Sequence, residues 1–394
     1  MKHFFAYIVL GVLICLPYIL TAQVSDRFAL TQEEILFQRN TDFDELITSE
    51  YSFTEEVGNP QLPVHIESFV VPFEATVSDL QITSVSKQKI DGNFYIYPAQ
   101  PPRILDGSES PAFVQPNASV YNSSSPYPGK VAEIISDNYT QGYHIVTVKL
   151  YPVEYIPQTR EIYLQDISFN INYSISNRTS SIIQPEKQSY RRALLSRQFI
   201  EGYVKNVSDI EDFKDKKVKI INESDCLNIG EGTREDIMQP RSTSAIDELI
   251  PDYIIITNEA LKPTFQALAN WKTKKGVPAI IKTIEEIEPN YQGSDLQEKI
   301  RNYLKEAYAR WGAGLFVLLG GDTNIIPARM VKSYYNNSLF RPTDLYYATV
   351  GGTWNANNNN IFKESGDGVD YGRDFYLGRA SVENVQEHQY LSTK

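Results

Sequence analysis

The chain has 394 residues, 42% apolar and 22% charged, with a formal net charge of −12 from 37 basic and 49 acidic side chains. That length suits two or three domains with sizeable cores. The acidic balance argues against nucleic acid as a partner, since that needs a basic footprint.

The chain opens on a targeting pattern. Lys2 precedes an apolar run from Phe4 to Leu20, and Thr21-Ala22-Gln23 offers a small-residue cleavage point. This predicts a secretory signal peptide over residues 1–22, cut near Ala22. The run of about 17 residues is short for a membrane span. Cys15 lacks the small residue that a lipoprotein signal places before its cysteine. No membrane span is expected after signal cleavage. Cys226 then stands alone, so no intramolecular disulfide forms. It sits in a polar stretch, NESDCLNIGEG, without a nearby histidine. None of the four histidines, His3, His65, His144 and His388, lies in an HExxH motif, and no CxxC occurs, so zinc is not expected.

Residues 23–180 carry short apolar runs between turns: 64–71 (VHIESFVV), 76–82, 94–97 (FYIY), 143–150 (YHIVTVKL) and 161–173. Several alternate apolar with polar, the period of a half-buried strand, and Pro and Gly punctuate them. An all-β, sandwich-like domain is predicted, with His65 and His144 at a sheet surface. Residues 181–250 have weak periodicity and more charge, and are expected to form an exposed linker with a short strand near 218–221. Arg234 and Arg241, in GTREDIMQPRSTSA, are natural sites for tryptic-type processing; the plain alternative is solvated linker charge.

From Asp252 the texture changes. Tyr253–Thr257 (YIIIT) reads as a buried strand, 259–275 as a helix stopped by Gly276, and Val277–Thr283 as the next strand. A helix capped by Ser294, with Gln297 completing a capping box, presents Leu296, Ile300, Tyr303, Leu304, Ala307, Tyr308 and Trp311 as a core stripe. Leu315–Leu319 then runs into Gly320-Gly321-Asp322. The β-α-β-α-β order implies a parallel sheet with right-handed crossovers. Ligands of open α/β sheets bind at the carboxyl ends of the strands, which makes Asp322 a candidate; a solvated acid after a turn is the alternative. A polar loop, GGTWNANNNNIFKESGDGVDYGRD, carries Asp367, Asp370 and Asp374 before a further strand at 375–379. Its oxygen-rich composition suits calcium or simple solvation.

Four pieces in order carry a resemblance: Trp271-Lys272-Thr273-Lys274-Lys275-Gly276; Val317 to Asp322 with Ile326-Pro327-Ala328; Asp344 to Tyr347; and Leu377-Gly378-Arg379. They resemble the WKxxRG, VLLVGD…IPA, SDxxY and GR segments of the gingipain-like cysteine peptidases, peptidase family C25. Gly58 to Val64, Pro98 to Pro101 and Pro152 to Pro157 are similar to patterns of that family's propeptide. The resemblance implies a secreted zymogen, extracellular or on a bacterial cell surface. A β-rich prodomain would block a caspase-like α/β domain, here residues 251–394, that acts on protein or peptide substrates. It also implies structural calcium, with Asp322, the Val350 carbonyl and Asp374 as ligands and Asp367 and Asp370 as further candidates.

The family's catalytic pair is a Cys nucleophile and a His in a Gly-His-Gly context, both beyond the segment matching Gly378-Arg379. No Gly-His-Gly occurs here and no Cys follows Cys226. No catalytic residue is therefore assigned. The α/β domain is expected to be incomplete, cut off as a helix begins near Val382-Glu383, as in a gene fragment. Two other readings compete. One is a non-catalytic secreted protein that binds surfaces, carbohydrate or protein through its aromatic-rich strands. The other, a nucleotide-binding domain using Gly320-Gly321, is disfavoured by the absence of GxGxxG and of a P-loop.

Overall fold

The computed structural model describes residues 22–40, 42–102, 111–175, 183, 185–221, 250–333 and 339–387. Residues 1–21, and Cys226, Arg234, Arg241 and His388, lie outside the described residues.

The β-rich half runs β1 (Ala22–Ala29), β2 (Leu36–Asn40), β3 (Phe43–Ile47), β4 (Ser52–Phe53), β5 (Pro63–Val71), β6 (Ala75–Ile90), α1 (Ala118–Tyr121), β7 (Ala132–Thr140), β8 (Tyr143–Leu150), β9 (Val153–Ile156) and β10 (Glu161–Ile175). One antiparallel sheet has the order β1-β10-β6, with β9 also beside β10, and a second has the order β4-β5-β8-β7. The described chain begins within a strand, Ala22 pairing with Tyr173. In β10, Ile167, Phe169, Ile171 and Tyr173 are buried while Ser168, Asn170 and Asn172 are more open, the alternation of a strand with one dry face. Those residues share a core with Phe69, Val71, Val146, Val148 and Leu150 of the second sheet. FYIY at 94–97 is not a regular strand; its Ile96 makes only an isolated bridge to Asp44. His144 is not at the surface, whereas His65 is partly exposed. His144 is buried against Asp137 and the Tyr139 ring, and His65 is wedged against Phe28 and Tyr51.

The exposed linker expected over 181–250 is replaced, where the chain is described, by packed structure: β11 (Lys187–Ser189), α2 (Tyr190–Glu201), α3 (Ile210–Phe213) and β12 (Lys219–Ile221). β11 and β12 pair in parallel. Helix α2, the turn after it and α3 cover the outer face of β5 and β8: Ile200, Val204 and Ile210 pack with Val70, Tyr143 and Ile145. β8 is therefore dry on both faces, and it is buried almost throughout instead of alternating.

The α/β half comprises β13 (Tyr253–Thr257), α4 (Lys262–Lys274), β14 (Ala279–Thr283), α5 (Ile284–Ile287), α6 (Leu296–Trp311), β15 (Leu315–Gly320), β16 (Arg329–Lys332), β17 (Phe340–Thr343), α7 (Leu345–Ala348) and β18 (Phe375–Ala380). The parallel sheet has the order β14-β13-β15-β18, and the predicted β-α-β-α-β succession is present. Residues 345–348 form the short helix α7.

The stripe on α6 packs on the core as predicted, with Leu296 and Trp311 at its ends partly buried, but the cap differs. Asp295, not Ser294, is the N-cap, accepting the Glu298 N–H at 2.9 Å. Ser294 instead donates to the Glu298 carboxylate. Asp295 also forms a two-pronged pair with Arg329, both bonds 2.7 Å. Burial alone would raise the Asp295 pKa; the Arg329 guanidinium and the Glu298 N–H outweigh it and hold the carboxyl below its usual value. A carboxyl depressed in the native state stabilises above its unfolded pKa of about 4, and that contribution is lost as pH falls through the native value. Asp295→Asn retains the cap but not the ion pair. Wild type should therefore be more stable than this variant at pH 7 and lose its advantage between about pH 5 and pH 3 in denaturant titrations. A pH-independent difference would contradict the assignment.

Candidate functional site

At the carboxyl rim of the sheet, Gly320 closes β15 and its carbonyl accepts the Thr257 hydroxyl at 2.6 Å. A Cβ on Gly320 would lie 2.7 Å from the Phe265 ring, and one on Gly321 would lie 2.8 Å from Ile325. These glycines admit α4 and the next turn, not a ligand. Asp322 is half-buried; its carboxylate accepts the Thr323 N–H at 2.8 Å and its carbonyl those of Ile325 and Ile326. It organises a turn.

Arg379 ties this rim together. Its guanidinium donates to both Asp344 carboxylate oxygens at 2.7 and 2.8 Å, and to the Gly321 and Ile326 carbonyls, each at 2.8 Å. The GGD…IPA, SDxxY and GR segments thus converge on one side chain. Sequence reasoning found the segments and missed this role, which the forked donor geometry of Arg serves.

The amino rim holds a different set. Asp374, which precedes β18, is fully buried. Its Oδ2 accepts the Val350 N–H at 2.9 Å, while its Oδ1 is buried without a hydrogen-bond partner. Asp370 is buried alongside and accepts the Gly372 N–H at 2.8 Å. A Cβ on Gly351 would sit 2.3 Å from the Asp370 carboxylate, so this glycine lets the carboxylate close on the Val350–Gly351 turn. Burial pushes Asp370 up to about 6. Burial, and then Asp370 itself, push Asp374 well above the usual carboxylate range. Arg301, also buried, is the nearby cation. Its hydrogen bonds go to the carbonyls of Thr349, Gly351 and Gly352, not to either carboxylate.

Two crowded, dry carboxylates with an orphaned oxygen form a site that a hard cation would suit, since its charge favours the ionised form of both. Among the described residues no group of three or more His, Cys, Asp or Glu could hold a metal. Backbone oxygens would have to complete the shell.

Of the residues singled out from sequence, the structure brings Val350, Asp370 and Asp374 together and separates the rest. Asp367 is buried but its carboxylate is taken by the Ala356 and Glu364 N–H groups at 3.1 and 2.6 Å. It shapes the Asn-rich loop, as do Asn355, Asn357 and Asn359, whose side-chain oxygens accept loop N–H groups. Asp322 lies at the opposite rim. β15 and β18 are parallel, in register from Leu315↔Phe375 to Gly320↔Ala380, so strands about 20 Å long separate Asp322 from Asp374. The signal was in the sequence: one acid follows its strand and the other precedes its strand, which in a parallel sheet means opposite ends.

Comparison with known proteins follows this division. The model of peptidase family C25 matches residues 246–394, and that of the C25 propeptide matches residues 30–196. The comparison with curated proteins gave no match. Among solved structures, similarity is found to the complex of Porphyromonas gingivalis RgpB pro- and mature domains, at 16% identity over 39% of this chain and 80% of that one, TM-score 0.33. A structure addressing the zymogenic latency of gingipain K from P. gingivalis matches at 19% identity over 41% and 97%, TM-score 0.34. The Arg-specific cysteine proteinase gingipain R (RgpB) matches at 21% identity over 36% of this chain but only 26% of that chain, TM-score 0.26. With scores this low, the assignment rests on the two sequence matches. The chain belongs to the gingipain-like cysteine peptidases, peptidase family C25, with the family's propeptide over residues 30–196 and a portion of its peptidase domain over 246–394.

Proposed function

We propose that this chain is the leader, propeptide and amino-terminal part of the peptidase domain of a secreted cysteine endopeptidase zymogen. The carrying observation is that both family regions occur in order on one chain. The convergence of three peptidase-domain segments on Arg379 supports it. In this reading residues 1–22 are a signal peptide and the β-rich half is a sandwich-like prodomain. The α/β half is the first part of a caspase-like domain, and maturation cuts fall at Arg234 or Arg241. Among the described residues no helix is long and apolar enough to cross a membrane.

Calcium is the proposed structural ion, held by Asp370, Asp374 and carbonyl oxygen from the Val350 turn. It would neutralise a buried carboxylate pair; its role is scaffolding, not chemistry. Asp322 is not assigned to that site, because it stands at the other rim.

These 394 residues contain no cysteine after Cys226 and no Gly-His-Gly. The thiolate and imidazole of the family reaction are thus not assigned to any residue here. Purified residues 23–394 are expected to show no thiol-dependent cleavage of fluorogenic peptides after reduction. Cleavage abolished by a thiol alkylator would overturn this reading.

A further inference from the structure

The carboxylate pair of the α/β half has a wall that belongs to the β-rich half. Strands β7 and β8 are joined by Gln141-Gly142 alone, with Thr140 paired to Tyr143. Both turn residues have positive φ, 54° and 82°, as a tight type I′ hairpin requires. The tip reaches the amino rim of the parallel sheet beside Ala313, whose Cβ a Cβ on Gly142 would meet at 3.4 Å. There the Gln141 backbone and side-chain N–H groups each donate to the Arg373 carbonyl at 3.2 Å. Helix α2 braces the tip: Gln141 Oε1 accepts the Ser196 hydroxyl at 3.0 Å, and one turn earlier Arg192 Nε pairs with Asp252 Oδ1 at 2.8 Å.

Gly372 and Arg373, which the tip contacts, stand between Asp370 and Asp374 in the chain. A Cβ on Gly372 would lie 2.3 Å from the Tyr139 carbonyl oxygen, 2.4 Å from Thr140 Oγ1 and 3.1 Å from Asp370 Oδ1. The missing side chain thus leaves one gap bordered by oxygens from both halves. The Gly372 N–H donates to that same Asp370 oxygen at 2.8 Å, so a shift of this peptide shifts the carboxylate. Two carboxylates need further neutral oxygens, such as backbone carbonyls, to complete a calcium shell, and the tip brings one to the gap.

We propose that the hairpin tip, residues 139–141, closes the cation site of Asp370 and Asp374, so that calcium binding there and seating of the hairpin strengthen one another. This rests on the cation reading given under the proposed function. The coupling is reciprocal: whatever factor the seated tip adds to calcium affinity, calcium adds to the seating of the tip. The cation affinity of the peptidase half is thereby tuned by the propeptide half.

The test is calorimetric titration of metal-stripped residues 23–394 with calcium, comparing wild type with Gln141→Ala. That change removes the side-chain donor to Arg373 and leaves both carboxylates in place. Gln141→Ala should bind calcium at least about fivefold more weakly, the lower end of usual coupling between sites. Hydrogen exchange reads the reverse direction: saturating calcium should slow exchange of the Gln141 amide in wild type and not in Asp374→Asn. If Gln141→Ala does not fold, the exchange measurement decides alone. Equal calcium affinity in wild type and Gln141→Ala, or a wild-type Gln141 amide whose exchange ignores calcium, would overturn the coupling and leave the cation site standing. A wild-type protein that binds no calcium would overturn the cation reading itself, and this inference with it.

Discussion

Arg192→Ala is expected to lower the unfolding free energy of the full chain by about 3–5 kcal/mol, the cost of breaking a buried ion pair by removing one partner. Arg192 is fully buried and Asp252 is 4% exposed, so water does not replace the lost guanidinium. Asp252 would keep the Ser189 hydroxyl, while the Trp311, Gly312 and Ala313 carbonyls would lose the donor they share. The pair is not a large net gain over a well-packed apolar core; the penalty comes from leaving its partners behind. Urea denaturation followed by tryptophan fluorescence reads this directly. A change below about 1 kcal/mol, the scale of an exposed pair, would mean that the contact is not dry.

Arg379→Lys is expected to cost about 2–3 kcal/mol despite keeping the charge, because a bidentate site is not served by an ammonium. The guanidinium reaches both oxygens of Asp344 and the carbonyls of Gly321 and Ile326. A lysine amine lacks the planar fork and has three donors for these four oxygens, so at least one is left without a donor. The loss falls on the turn after β15, so hydrogen exchange at Asp322 to Ile326 should quicken in step with the fall in stability. Wild-type exchange there would contradict the role given to Arg379.

Much of the α/β half was legible because its central strands are largely buried and apolar. Tyr253–Thr257 and Leu315–Gly320 are short apolar runs bounded by polar or turn residues, and both are strands of the parallel sheet. The α6 stripe was legible because one face alone is dry. Its cap was not, since Ser294–Gln297 and Asp295–Glu298 have the same spacing, and only the Asp295 bond to the Glu298 N–H decides between them. Helix α2 was missed for a physical reason. Two of its buried residues are Arg192 and Ser196, so the side facing the α/β half shows no apolar stripe and the segment reads as solvated. The candidate site was half legible. The acids were in view, but which ones meet depends on strand direction and on Gly351, which admits the Asp370 carboxylate.

The central proposal is that Asp370 and Asp374 take a calcium ion at the amino rim of a C25 scaffold. Its most direct measurement is calorimetric titration of metal-stripped residues 23–394 with calcium, for wild type and Asp374→Asn. Saturable binding is predicted for wild type, with a rise in Tm that follows occupancy. Asp374→Asn should lose at least about tenfold in affinity, the effect of removing one ionised oxygen donor from a hard-cation site. No binding by the folded wild-type protein, or binding of equal strength in both, would contradict it.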